Sequence, residues 1–123
     1  MKVNKKYTEI MKLHKMLSAV SIPHSVDRIF DGWQIVYFYN GKQIADVVQH
    51  SWSYGADKNL LEIMGLLTSE EEEHDTVLGY LTAEKVFERI RKDFLNRKFG
   101  TKKEGDIDEI ISISAKGIRR NER

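Results

Sequence analysis

Ile29-Phe-Asp-Gly-Trp-Gln-Ile-Val-Tyr-Phe-Tyr-Asn-Gly-Lys-Gln-Ile-Ala-Asp-Val-Val-Gln-His-Ser-Trp-Ser-Tyr-Gly55 is the stretch that decides the fold. Two turn signals, Asp31-Gly32 and Asn40-Gly41, separate runs of β-branched and aromatic residues. Asp-Gly and Asn-Gly favour two-residue hairpin turns, because such turns need positive φ at their centre. The stretch therefore predicts a three-stranded antiparallel meander. With two-residue loops at both turns, Arg28 faces Ile35, Tyr37 faces Ile44, Ile35 faces Asp46 and Trp33 faces Val48. One face then carries Val26, Arg28, Phe30, Trp33, Ile35, Tyr37, Tyr39, Ile44, Asp46 and Val48. The other carries Ile29, Val36, Phe38, Ala45 and Val47, with Asp27, Gln34, Gln43 and Gln49. This second face is smaller, and helices are expected to cover its apolar centre. The greater aromatic area of the first makes it the alternative, which alternation does not settle.

Outward from the sheet, residues 4–20 have helical spacing, with Tyr7, Ile10, Leu13, Leu17 and Val20 on one side. Pro23 ends that segment. Leu60, Ile63, Met64 and Leu67 fit one face of a short helix, although Gly65 weakens its second half. Thr68-Ser-Glu-Glu71 is a capping box that starts a further helical turn ending before Val77. Thr82 caps the clearest helix, whose apolar stripe is Ala83, Val86, Phe87, Ile90 and Phe94. Residues 1–99 thus read as one α+β domain, a three-stranded meander packed with an N-terminal helix and two or three C-terminal helices. Residues 100–123 read as a basic extension. Ile107, Ile110, Ile111, Ala115 and Ile118 suit a helix there, while Ile111, Ile113 and Ala115 alternate as in an edge strand.

At 123 residues, 41% apolar and 32% charged, the chain is long enough for a real core and too apolar for disorder. It has no cysteine, which excludes disulfides, thiol catalysis and thiolate metal sites. No run is apolar enough to span a membrane and no leader pattern is visible, so the expected location is the cytoplasm. The net charge of +1 hides segregation. Basic against acidic residues number seven to four in 1–56, one to eight in 57–84 and twelve to seven in 85–123. The acidic run at Glu70–Glu73 reads as a solvated helix start, because adjacent helical carboxylates point apart and cannot share an ion.

There is no phosphate-binding glycine loop, nucleophile elbow or His-Glu-x-x-His motif. The four histidines, His14, His24, His50 and His74, fall in four separate elements. No catalytic residue, metal or cofactor is expected. The functional signal is the density of aromatic residues beside Arg28 and Asp46: Trp33, Tyr37, Tyr39, His50, Trp52 and Tyr54. Tyr, Trp and Arg anchor interfaces because they combine large area with polar handles. The competing reading is that these aromatics are simply the core of a small domain. Sheet aromatics also stack bases. A nucleic-acid or nucleotide site would add phosphate contacts from Arg89, Arg91, Lys92, Arg97, Lys98, Lys102 and Lys103. A hydrolase built on His50 and Asp46 ranks third.

Asp31-Gly-Trp-Gln-Ile35, Gln49-His-Ser-Trp-Ser-Tyr-Gly55, Leu60-Leu-Glu-Ile-Met-Gly-Leu-Leu-Thr68, Gly79-Tyr-Leu-Thr-Ala-Glu84 and Arg89-Ile90 also carry a resemblance. Together they resemble a group of small uncharacterised proteins encoded in phages and prophages of Firmicutes. The resemblance covers about residues 7–94, and Phe99–Arg123 departs from it. It implies a phage accessory protein in the host cytoplasm, with no activity or catalytic residues attached. The expected function is non-enzymatic binding of a host or phage protein, antagonism of a host defence system being its most concrete form. The alternative is binding of nucleic acid or a nucleotide.

Overall fold

The computed structural model describes residues 7–100. The expected extension at 101–123 lies outside the described residues. Among the described residues, contacts divide the chain after Arg91, inside the last helix.

The meander is longer than the turn signals indicate. It has five antiparallel strands in chain order: β1 (His24–Ile29), β2 (Gly32–Tyr39), β3 (Lys42–Gln49), β4 (Leu61–Met64) and β5 (Val77–Leu81). Among the described residues three α-helices accompany it: α1 (Glu9–Ala19), α2 (Ser69–His74) and α3 (Ala83–Lys98). The α+β class agrees with the sequence reading. The helix expected around Leu60–Leu67 is instead strand β4. Leu61 and Ile63 alternate into the core there, with Ile63 opposite Val47 and Leu61 opposite Leu81. Over so short an apolar run, periods of 2 and 3.6 cannot be told apart by sequence.

Both expected registers shift, for different reasons. At the first hairpin the two-residue turn is Phe30-Asp31, not Asp31-Gly32, so Arg28 pairs with Trp33 and Val26 with Ile35. Phe30 takes the positive φ of 55°, and Gly32 serves another need. A Cβ at Gly32 would lie 1.8 Å from the Gln49 carbonyl oxygen, so the strand can close there only around glycine. At the second hairpin Asn40 and Gly41 take φ of 52° and 76°, as the turn signal requires. A bulge then leaves Ile44 unpaired, and Tyr37 meets Ala45, Ile35 meets Val47 and Trp33 meets Gln49. One extra residue turns the rest of β3 over. Ala45, Val47 and Gln49 therefore join Ile35 and Tyr37, while Asp46 goes to the opposite face with Gln34 and Val36.

Helix α1 covers the face of Ile35 and Tyr37, not the smaller face of Val36 and Phe38 where cover was expected, and the bulge turns Val47 onto the covered side; all three are fully buried. Helix α1 supplies Ile10, Leu13 and Leu17, and Tyr7 is buried just before it. Val20, expected on that stripe, is exposed because the helix has ended. Ser21 adopts φ 60°, Ile22 N–H bonds the Leu17 carbonyl and Ser21 N–H the Ser18 carbonyl. That is a Schellman stop, with Ile22 tucked into the core in place of Val20. Helix α3 buries Ala83, Val86 and Ile90, and Phe87 is only half-buried. Thr82 Oγ accepts from Lys85 N–H, the expected cap.

The start of α1 has no cap of its own. Its amides are satisfied by residues about 40–50 positions away. Asn59 Oδ1 accepts from Thr8 and Glu9 N–H at 3.1 and 3.3 Å, and Gln49 Oε1 accepts from Ile10 N–H at 3.0 Å. Gln49 Nε2 donates to the same Asn59 oxygen at 2.8 Å, and Asn59 Nδ2 to Thr8 Oγ1. Glu9 in turn accepts from Ala83 N–H at the start of α3.

Gln49 is fully buried, so a near-isosteric Gln49→Met replacement leaves a buried Ile10 amide without an acceptor. The expected loss is about 1–3 kcal/mol in denaturant unfolding. A loss under about 0.5 kcal/mol would show that the amide finds another partner.

Candidate functional site

Connection 50–60, between β3 and β4, lies across one end of the sheet. The β1–β2 turn and the end of β5 lie at the same end. The loop is tied at both sides. Asp31 Oδ1 accepts from Ser51 N–H at 2.9 Å, and Asp31 Oδ2 from the Tyr7 hydroxyl at 2.9 Å. On the β5 side, Glu62 accepts from Tyr54 N–H at 2.8 Å and the Tyr54 carbonyl from Tyr80 N–H. Gly79 makes this approach possible, since a Cβ there would lie 2.2 Å from the Tyr54 Cβ. Within the loop His50 Nδ1 accepts from Trp52 N–H, and Ser53 Oγ donates to the His50 carbonyl.

This frame presents aromatic rings to solvent. Trp52 is 73% exposed, Phe30 64%, Tyr80 57% and Tyr54 50%. Phe30, Trp52 and His50 form an edge-to-face cluster, with the Phe30 centroid 5.0 Å from each of the other two. Phe30 and Tyr80 both hold positive φ, 55° and 61°. Bulky side chains disfavour that region, so strain persists only where the surroundings enforce it. Beside the cluster, Tyr7, Ser51, Ala56 and Asp57 line a cavity of about 130 Å³.

The expected site separates in the structure. Trp52 and Tyr54 lie in the exposed loop, and His50 supports it, itself only 9% exposed. Tyr37 is fully buried under α1, so it belongs to the core and offers no binding surface. Trp33 is half-buried with the Arg28 guanidinium 4.6 Å from its ring centre, and Tyr39 is half-buried at the far end of β2. Arg28 and Asp46 do not share a face. The Ile44 bulge places Asp46 on the other side, where it accepts from Gln34 Nε2 at 2.8 Å. His50 and Asp46 are thus engaged with different partners.

Of the basic residues named for phosphate, Arg89 is committed. It forms a two-pronged pair with Glu71 at 2.9 and 2.6 Å and donates to the Leu66 carbonyl. Arg89 first, then the capping-box amide of Thr68, holds the Glu71 carboxyl at about 2. Arg97 pairs with Asp93, and Lys98 lies over the Phe94 ring. Arg91 and Lys92 are exposed, and Lys102 and Lys103 lie outside the described residues. Among the described residues no three His, Cys, Asp or Glu side chains are grouped to hold a metal, and no helix is long and apolar enough to cross a membrane.

Sequence reasoning missed Phe30 and Tyr80. Phe30 reads as a strand residue beside an Asp-Gly turn, and nothing local shows that the turn starts one residue early. Gly79, directly before Tyr80, was the available sign of a close backbone approach. No protein-family model matches the chain, and no curated protein or solved structure matches it significantly.

Asp31 links the turn, the loop and Tyr7. The Ser51 amide above all, with the Tyr7 hydroxyl, holds its carboxyl at about 2, below the ordinary 3.8. A depressed carboxyl stabilises the fold above its unfolded value and loses that contribution as pH falls through its folded value. The Asp31→Asn variant should therefore melt below the wild type near neutral pH. That gap should close between pH 3.8 and about 2. A gap independent of pH in thermal melts would mean that the carboxylate's charge has no part in holding the loop.

Proposed function

We propose that this is a non-enzymatic binding protein that engages another protein through Phe30, Trp52, Tyr54 and Tyr80. The observation that carries this reading is backbone strain at two exposed aromatic residues on one end of the sheet. Large aromatic side chains exposed in a braced frame are the usual anchors of protein interfaces. Bracing also lowers the entropy lost on binding. The sequence resemblance supplies the context: a phage accessory protein in the host cytoplasm, whose partner is a host or phage protein. Antagonism of a host defence component is the form most open to test.

The test is affinity capture from host cells, followed by titration of the purified partner against Trp52→Ala and Tyr80→Gly. Glycine accepts the positive φ of position 80 without steric strain, so Tyr80→Gly removes the ring and keeps the backbone path. Affinity should fall at least about tenfold for each, or ~1.4 kcal/mol, with unfolding little changed. Equal binding by both variants would remove this end of the sheet from the interface. Binding of an oligonucleotide at micromolar affinity and about 150 mM salt, weakened by Arg91→Glu and Lys92→Glu, would instead favour the nucleic-acid reading.

A further inference from the structure

The fold brings two of the four scattered histidines into direct contact. His14 Nδ1 on α1 lies 2.8 Å from His24 Nε2 on β1, with ring centres 5.0 Å apart and planes at 66°. His24 Nδ1 lies 2.7 Å from the Ile22 carbonyl oxygen. A carbonyl only accepts, so His24 Nδ1 carries its hydrogen. In the neutral ring Nε2 is then a bare lone pair, and His14 Nδ1 must donate to it. One directed chain results, from His14 to His24 to the Ile22 carbonyl.

We propose that this pair is a proton-operated clasp joining α1 to the edge strand β1, closed with at most one added proton and opened by the second. The first proton enters at His14 Nε2 and the bridging hydrogen moves to His24 Nε2, so His24 carries the charge and donates to His14 Nδ1. The N–H···N bond then survives and becomes charge-assisted. The second must go to His14 Nδ1, the remaining bare nitrogen. Two N–H groups and two positive charges would then face each other across 2.8 Å. Lys15 on α1 adds a third positive charge, and the residue opposite His24 on β2 is Tyr37, an uncharged phenol.

Burial first, then the His24 and Lys15 charges, lower the His14 pKa from its ordinary 6.5. The clasp's contribution is therefore complete above 6.5, where unfolded histidine is neutral, and is lost as pH falls through the lower folded value. Opening would part His14 on α1 from His24 on β1, while the His24 Nδ1–H bond to the Ile22 carbonyl persists beside the Schellman stop. The clasp lies apart from the aromatic cluster, so it stands or falls independently of the binding proposal.

Ring-nitrogen NMR on the full-length chain, from about pH 8 to about pH 4, tests it together with thermal melts over the same range. In the neutral wild type, His24 should show the Nδ1–H tautomer. In His24→Gln, whose amide oxygen can still accept from His14, the His14 titration should move up towards 6.5. The acid loss of melting temperature should shrink with it. Identical His14 titrations in wild type and variant would overturn the clasp, as would an Nε2–H tautomer for His24 in the wild type. The tautomer is read on wild-type protein, so it decides even if the variant does not fold.

Discussion

The start of α1 is the constraint on which most of this structure depends. A helix leaves its first amides without internal partners, and burial makes each such amide costly. Here the missing acceptors come from Gln49 at the end of β3 and Asn59 at the entrance to β4. Two side chains thereby fix where α1 begins, how it lies on the sheet and how loop 50–60 closes. Asn59 suits this task because it tolerates left-handed backbone, and it stands at φ 59°. Glu9 carries the same logic to α3, whose first amide it accepts. The caps therefore tie strand to helix and helix to helix, where hydrophobic contact alone would permit sliding.

Ion pairing contributes more locally. Lys12 and Glu84 join α1 to α3, but both side chains are about half exposed, so the pair adds little stability. Arg89 and Glu71 are about a quarter exposed and share two hydrogen bonds, a stronger arrangement. Glu71 also completes the capping box of α2. One carboxylate thus starts a short helix and anchors the β4–β5 connection to α3. The acidic run is consequently not uniform: Glu71 is structural, whereas Glu70, Glu72 and Glu73 face solvent.

Signals contained within a few residues were legible in the sequence. Asn40-Gly41, the Thr68–Glu71 box, the Thr82 cap and the stripe of Ile10, Leu13 and Leu17 all appear as read. Features set by distant contacts were not. Gly32 looks like half of a turn, yet the close passage of the Gln49 carbonyl claims it for the strand. The Ile44 bulge has no local signature, and it alone reverses the side on which Asp46 and Val47 emerge. Leu61 and Ile63 become strand residues because β3 is available beside them. A register without the bulge groups Tyr37 with Asp46 and keeps Phe30 in a strand, whereas the bulge separates the first two and the early turn takes Phe30.

Loop 50–60 serves two ends at once, and this relates stability to the proposed binding surface. Its boundaries, Gln49 and Asn59, hold α1, while Trp52 and Tyr54 within it are presented to solvent. Asp31 and Glu62 fasten the loop by accepting from backbone amides, so the exposed Trp52 and Tyr54 rings are not needed to tie it down. Strain at Phe30 and Tyr80 then has a physical source of support. The caps and amide bonds stabilise the same end of the sheet and offset the cost of left-handed backbone at two bulky residues. If this end of the sheet is the interface proposed above, rings held by such a frame need little ordering on contact, so more of their buried area is realised as affinity.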